Sequence, residues 1–207
     1  MSKKIIIIVP GAKYIKSRSN FMQGLILVFY KLTRIMHPVD SNYAKDWRYF
    51  FSRKDERVIW LHWGRGFTNL SKWFAVRKLK RLLKHYESYS ITLLGMSLGG
   101  EIVLEAAESF PGKIKRVIVI ASTNEKKKFN LGDTPVINIY SIKDFFQKLA
   151  VKTLSPIAGS VNLVGSNVLN IRLPNLAHDE ILANKKIKSG KFKDKTILEV
   201  VNYFLRR

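Results

Sequence analysis

The sequence predicts an α/β protein built on a mostly parallel, doubly wound sheet of about six strands, with helices on both faces. Three observations lead there. Short apolar runs rich in β-branched residues recur along the chain, and each is continuous enough to be buried on both sides. Segments with helical spacing separate them, an alternation that favours parallel strands joined by crossovers. The 207 residues, 46% of them hydrophobic, suit one domain of ordinary size, expected to span 1–207 without linker or repeat.

The first run is Ile5 to Val9, stopped by Pro10-Gly11. It follows Lys3-Lys4 in the manner of a signal sequence, but it is too short for an export h-region and reads better as a buried strand. Val58 to His62, Ile91 to Leu94, Val117 to Ala121 and Val136 to Tyr140 are the next four strands, and Val168 to Leu173 is the sixth. A basic helix carrying Phe74, Leu79, Leu82 and Leu83 precedes the third strand. A second helix, Glu101 to Glu108, follows that strand and ends near Pro111-Gly112, and a C-terminal helix is expected near Thr196 to Phe204.

Between the first two strands, residues 13–56 form a candidate lid or cover. Within them Phe21 to Met36 is strongly apolar, yet too short and too interrupted by Lys31 and Arg34 to span a bilayer. Packing on the sheet, covering a site and touching a lipid interface are its three readings. Trp47 to Lys54 interleaves aromatic and basic side chains, which suits base stacking, a lipid interface, or a half-buried edge with snorkelling cations.

A formal charge of +22 is unusual for an enzyme of small molecules. It would draw nucleic acid, acidic membrane or anionic substrates through its long-range field, although the basic residues are scattered rather than blocked. The absence of cysteine excludes disulfides, thiol nucleophiles and thiolate metal sites, and fits a reducing, cytoplasmic location. No metal-ligand spacing and no phosphate-binding glycine motif is present, so no cofactor and no metal is expected.

Gly95-Met96-Ser97-Leu98-Gly99-Gly100 lies between the third strand and the helix after it. A serine on a strained strand-to-helix turn exposes its hydroxyl only if the crowded neighbours two residues away lack a Cβ, and Gly95 and Gly99 fill those places. A plain phosphate-binding or tight βα turn is the competing reading. A serine hydroxyl needs a base, and in sheets built around such a serine turn, a nucleophile elbow, the order is serine, acid, histidine. His37, His62 and His85 precede Ser97, so His178, in the loop after the sixth strand, is the candidate base. The acid must lie between them at a strand's C-terminal end. Asp144, just after the fifth strand, is best placed, with an N-cap as its competing role and Asp179 or Asp133 as weaker substitutes.

These residues resemble the α/β-hydrolase superfamily, over nearly the whole chain and without a cap domain, since 122–134 is short where many members carry one. The resemblance implies that Ser97 attacks a carbonyl, His178 acts as base and then acid, and Asp144 orients it. It also implies an oxyanion hole made of the Leu98 N–H and a second donor from the loop after the first strand, Ala12 with Gly11 as fallback. Pro10 stands where many members carry histidine. The expected function is a small serine hydrolase, esterase- or lipase-like, acting on an ester or thioester; a peptidase would use the same triad. The alternative is a hydrolase-like fold that mainly binds an anionic partner, nucleic acid or acidic membrane.

Overall fold

A computed structural model describes residues 3–11, 47, 56–63, 69–122, 124, 126, 128–141, 162–174, 176, 180–181 and 184–206. Six strands form one sheet: β1 (Lys4–Val9), β2 (Glu56–Trp60), β3 (Ser90–Met96), β4 (Arg116–Ile120), β5 (Val136–Ser141) and β6 (Val168–Leu173). They lie in the order β2-β1-β3-β4-β5-β6, and every neighbouring pair is parallel. Three helices belong to the described residues: α1 (Asn69–His85), α2 (Leu98–Ala107) and α3 (Ile197–Arg206). The predicted mixed α/β architecture is the observed one.

The period-two geometry of a strand divides the apolar runs between two cores. Ile5, Ile7 and Val9 of β1, Leu93 of β3 and Val117 and Val119 of β4 meet α1 and α2. Ile6 and Ile8, Leu94 and Met96, Ile118 and Ile120 point to the other face, where Ile197, Val200, Val201 and Phe204 of α3 cover them. Continuous apolar runs are therefore what a sheet with two covered faces requires. The edges differ. In β6, which lies where expected, Leu169 and Asn170 are exposed and only Leu173 is buried, as an edge strand allows. β2 begins and ends two residues earlier than its apolar run, at Glu56–Trp60. An edge strand pairs on one side only and so tolerates Arg57, exposed over the Tyr86 ring. His62 consequently lies beyond the strand.

Two devices fix the margins. Asn170 on β6 accepts from Asn138 Nδ2 of β5 at 2.8 Å and also exchanges hydrogen bonds with the Leu163 backbone, at 3.2 and 2.8 Å. Its side chain thus ties the preceding loop to the edge. At the start of α3 a capping box closes: Thr196 N donates to Glu199 Oε2 at 2.7 Å and Glu199 N to Thr196 Oγ1 at 3.3 Å. Leu198 N finds Asn184 Oδ1 at 2.8 Å, so the first turn of α3 is well supplied with acceptors. At its far end Arg116 donates to the Phe204 carbonyl, a cation at a helix C-terminus.

The candidate cover, 13–56, lies outside the described residues except for Trp47 and the backbone of Glu56. Trp47 is fully buried in the α3-side core, beside residues such as Ile6 and Ile8. It is a core residue and offers no face for stacking a base. Among the described residues, no helix is long and apolar enough to cross a membrane.

Candidate active site

The strand order reverses between β1 and β3: the chain leaves β1 toward β2, then crosses back to continue through β3, β4, β5 and β6. Loops leaving the C-terminal ends of two such strands diverge and open a crevice. Here those ends carry Pro10-Gly11 and Gly95-Met96-Ser97. Ser97 stands at the head of α2 with φ 52° and ψ −128° and makes no side-chain capping bond to the helix. Its amide donates to the Ile120 carbonyl at 2.9 Å and its carbonyl accepts from Gly100 N at 2.8 Å, so both neighbours of the turn, β4 and α2, hold it.

The two flanking glycines have the role expected from the sequence. A Cβ on Gly95 would lie 2.5 Å from the Gly99 carbonyl oxygen and 2.6 Å from Gly100 Cα, and one on Gly99 would collide with the carbonyls of Val9 and Pro10. The helix therefore starts pressed against both its own strand and the end of β1. That contact also brings the β1 loop to the serine: a Cβ on Gly11 would lie 2.8 Å from Ser97 Cβ and 3.4 Å from its Oγ. Leu98, the first residue of α2, follows directly.

Trp63, which sequence reasoning did not single out, anchors this loop. Its buried indole Nε1 donates to the Pro10 carbonyl at 3.0 Å. Only its spacing beyond an edge strand, among the aromatics Trp60 and Trp63, hinted at it. Across the turn, Ser122 is buried and donates to Asn124 Oδ1 at 2.8 Å, while Ala121 before it adopts φ 49°. The β4 exit is thus folded tightly against Gly100 of the elbow, where a Cβ would meet Ser122. Further on, Glu108 at the end of α2 accepts from Asn130 N at 3.0 Å and from Lys126 at 3.3 Å. These described parts of 122–134 lie against the helix.

One turn into α2, Glu101 is buried and pairs with Lys72 of α1 at 3.1 Å, and Lys72 also reaches Glu105 at 3.8 Å. The two helices start side by side at the C-terminal end of the strands, where Ser97 lies.

Asp144, His178, Asp179 and Ala12 lie outside the described residues. Their stems are described. Ser141, the last residue of β5 and three before Asp144, accepts a hydrogen bond on its buried Oγ from Leu176 N at 3.3 Å, and Leu176 is two residues before His178. Asp133 precedes β5, at the opposite edge of the sheet from Ser97. His62 is exposed past β2, its carbonyl accepting from Lys78 at 2.5 Å, and His85 closes α1 at the far edge.

The family model described as the alpha/beta hydrolase fold matches residues 37–153, more than half of the chain. Among solved structures, the fold is similar to that of MenH from S. aureus, with TM-score 0.56 and 11% identity over 100% of this chain and 94% of that one. A predicted CIB-like hydrolase from Thermoplasma acidophilum gives 0.54 at 15% identity, covering 99% and 87%. A lipase-esterase related protein from Clostridium acetobutylicum gives 0.54 at 11%, covering 99% and 94%. At such identities the likeness is one of fold. No curated protein sequence matches significantly.

Proposed function

We propose, on the premise that this chain belongs to the α/β-hydrolase fold family, that it is a serine hydrolase cleaving an ester or thioester through Ser97, His178 and Asp144. The general assignment as a hydrolase has the support of the family match and of hydrolases among the structures of like fold. The observation that carries the finer reading is the backbone of Ser97: a non-glycine residue at φ 52°, at the end of β3, at the head of α2 and beside the sheet's switch point. A turn that merely closed a strand-helix connection would have no reason to put a hydroxyl-bearing residue there at a cost of about 1–3 kcal/mol.

His178 takes the Ser97 proton as Oγ attacks the acyl carbon, then gives it to the leaving alcohol or thiol. Water reverses the sequence and releases the acid. The Leu98 N–H, at the positive end of α2, faces the developing oxyanion, with Ala12 as second donor and Gly11 as fallback. Asp144 holds the imidazole in the tautomer that accepts from serine. Two strand spacings separate β3 from β5, about 10 Å, a gap that an imidazole between two short side chains bridges. The Ser141–Leu176 hydrogen bond supports the same pairing, since it joins the stems that lead to Asp144 and to His178.

The test is covalent labelling with a fluorophosphonate. Wild-type protein should label and Ser97→Ala should not. Folded wild-type protein that stays unlabelled, or labelling that survives the substitution, overturns the assignment. His178→Ala and Asp144→Asn should each lower hydrolysis of a short p-nitrophenyl ester by about 10³- to 10⁴-fold. A normal rate in Asp144→Asn would move the acid elsewhere.

A further inference from the structure

The outward face of α1 changes character along its length. Leu70, Trp73 and Phe74, in its first two turns, are 64%, 49% and 56% exposed. Beyond them the exposed positions are Arg77, Lys78, Arg81, Lys84 and the closing His85, and the helix carries no acidic residue. The inward face is complete without the apolar trio, for Ala75, Val76, Leu79 and Leu83 already pack on the sheet. Phe74, expected from the sequence to sit with Leu79 and Leu83, therefore points to solvent.

Two of the three are in contact with each other. The Trp73 and Phe74 rings meet edge to face with centroids 4.9 Å apart, and the Arg77 guanidinium lies 5.3 Å from the Trp73 ring. Exposed large apolar groups at i, i+3 and i+4 beside cations need an occupant that supplies hydrocarbon and negative charge together. A bilayer of anionic phospholipid does both: tryptophan and phenylalanine sit at headgroup depth, and the cations meet phosphates. Nucleic acid offers charge and stacking faces but nothing for Leu70. The formal charge of +22 attracts any anionic surface at long range, and the apolar trio makes the choice among them.

The position of the patch gives the contact a use. Lys72, next to Trp73, pairs with Glu101 one turn past Ser97, so the apolar end of α1 stands at the C-terminal end of the strands, where the candidate nucleophile lies. We propose that the Leu70–Trp73–Phe74 face of α1, with Arg77 and Arg81 behind it, docks the protein on an anionic phospholipid surface. The docking is independent of the serine-hydrolase reading; only its corollary, that acyl substrates are met at that surface, rests on it.

Vesicle sedimentation with the full chain tests this, comparing phosphatidylcholine vesicles with phosphatidylcholine–phosphatidylglycerol vesicles at low and raised salt. Wild-type protein should bind the acidic vesicles, weakly or not at all the neutral ones, and less as salt rises. Trp73→Ser with Phe74→Ser, and separately Arg77→Glu with Arg81→Glu, should each weaken acidic-vesicle binding about tenfold or more, with circular dichroism unchanged. If the serine pair does not fold, quenching of tryptophan emission by brominated phosphatidylglycerol decides instead: it should be strong in wild type and largely lost in Trp73→Phe. No vesicle binding by folded wild type at low salt overturns the proposal, as does binding or quenching that the substitutions leave intact. Tighter binding to single-stranded RNA than to acidic vesicles, or a dimer that the serine pair abolishes, would assign the face to those partners and overturn it equally.

Discussion

Ser97 lies where only glycine is comfortable, and the strain has a measurable sign. With φ at 52°, replacing it by alanine keeps the unfavourable Cβ, whereas replacing it by glycine removes it. Ser97→Gly should therefore be more stable than Ser97→Ala by about 1 kcal/mol in urea unfolding, even after allowing for the greater freedom of an unfolded glycine. Equal midpoints would mean that the turn stores no strain. The second residue is Trp63. Its indole holds the Pro10 carbonyl at 3.0 Å, and Pro10-Gly11 adjoins Ser97. Trp63→Phe keeps most of the packing but frees the loop, and should lower kcat for ester hydrolysis by about tenfold with little change in KM, because a loosened oxyanion donor is missed chiefly in the transition state. A changed KM with an unchanged kcat would place Trp63 in substrate binding instead. The serine and its glycines were legible in the sequence because a short-range rule, two missing Cβ atoms around a strained residue, fixes them. Trp63 was not, because its partner is a backbone carbonyl 53 positions away.

At the scale of elements, α3 packs on one face of the sheet together with Trp47, Leu176, Ile181 and Ile187, and its first turn depends on Thr196 and Glu199. Hydrogen bonds from the Thr196 backbone and hydroxyl hold the Glu199 carboxyl below its usual range, with Lys195 and Lys186 assisting. A carboxylate whose folded pKa is depressed stabilises the fold above its unfolded value, near 4.3, and loses that contribution as pH falls through the folded value. Stability measured through that acid range should fall less steeply in Glu199→Gln than in wild type, by a small amount since the group is exposed. Thr196→Ala should cost about 1 kcal/mol at neutral pH, read from the denaturation midpoint. Strand positions were readable to within two residues, for apolar β-branched runs admit few alternatives. The faces of α1 were harder. Phe74 stands about 140° round the helix from Leu79, so it cannot share the core stripe, and the small Ala75 and Val76 take the inner places. Side-chain size suggested the reverse.

For the molecule as a whole, two cores share one sheet through alternating residues of the same strands, so neither layer can melt alone. Urea unfolding should give coincident tryptophan-fluorescence and circular-dichroism transitions; a separated pair would divide the chain into independent units. Fold class was legible because it depends on the rhythm of apolar runs, which survives without knowledge of any contact. The carboxylate and histidine were reached by topological order, and Asp144 and His178 remain assigned by that order, with the Ser141–Leu176 bond showing that the segments leading to them converge. Net charge raised the expectation of an anionic partner and pointed to no surface. Trp47, which the aromatic–basic pattern brought forward, belongs to the core, and among the described residues the most exposed aromatics, Trp73 and Phe74, are on α1.

The place of β1 has a consequence in time. Lys4 lies between Glu56 on one side and Ser90 on the other, so a central strand of the sheet precedes both of its partners in synthesis. Ile5, Ile6, Ile7, Ile8 and Val9 have no hairpin neighbour to shelter them while the ribosome makes the rest. Parallel registers of this separation form slowly, and an unpaired isoleucine run is adhesive while it waits. Nascent chains of this protein should therefore depend on chaperones until β3 emerges, and the turn that carries Ser97 can close only after β1 has found its place, since Gly99 packs against the end of that strand.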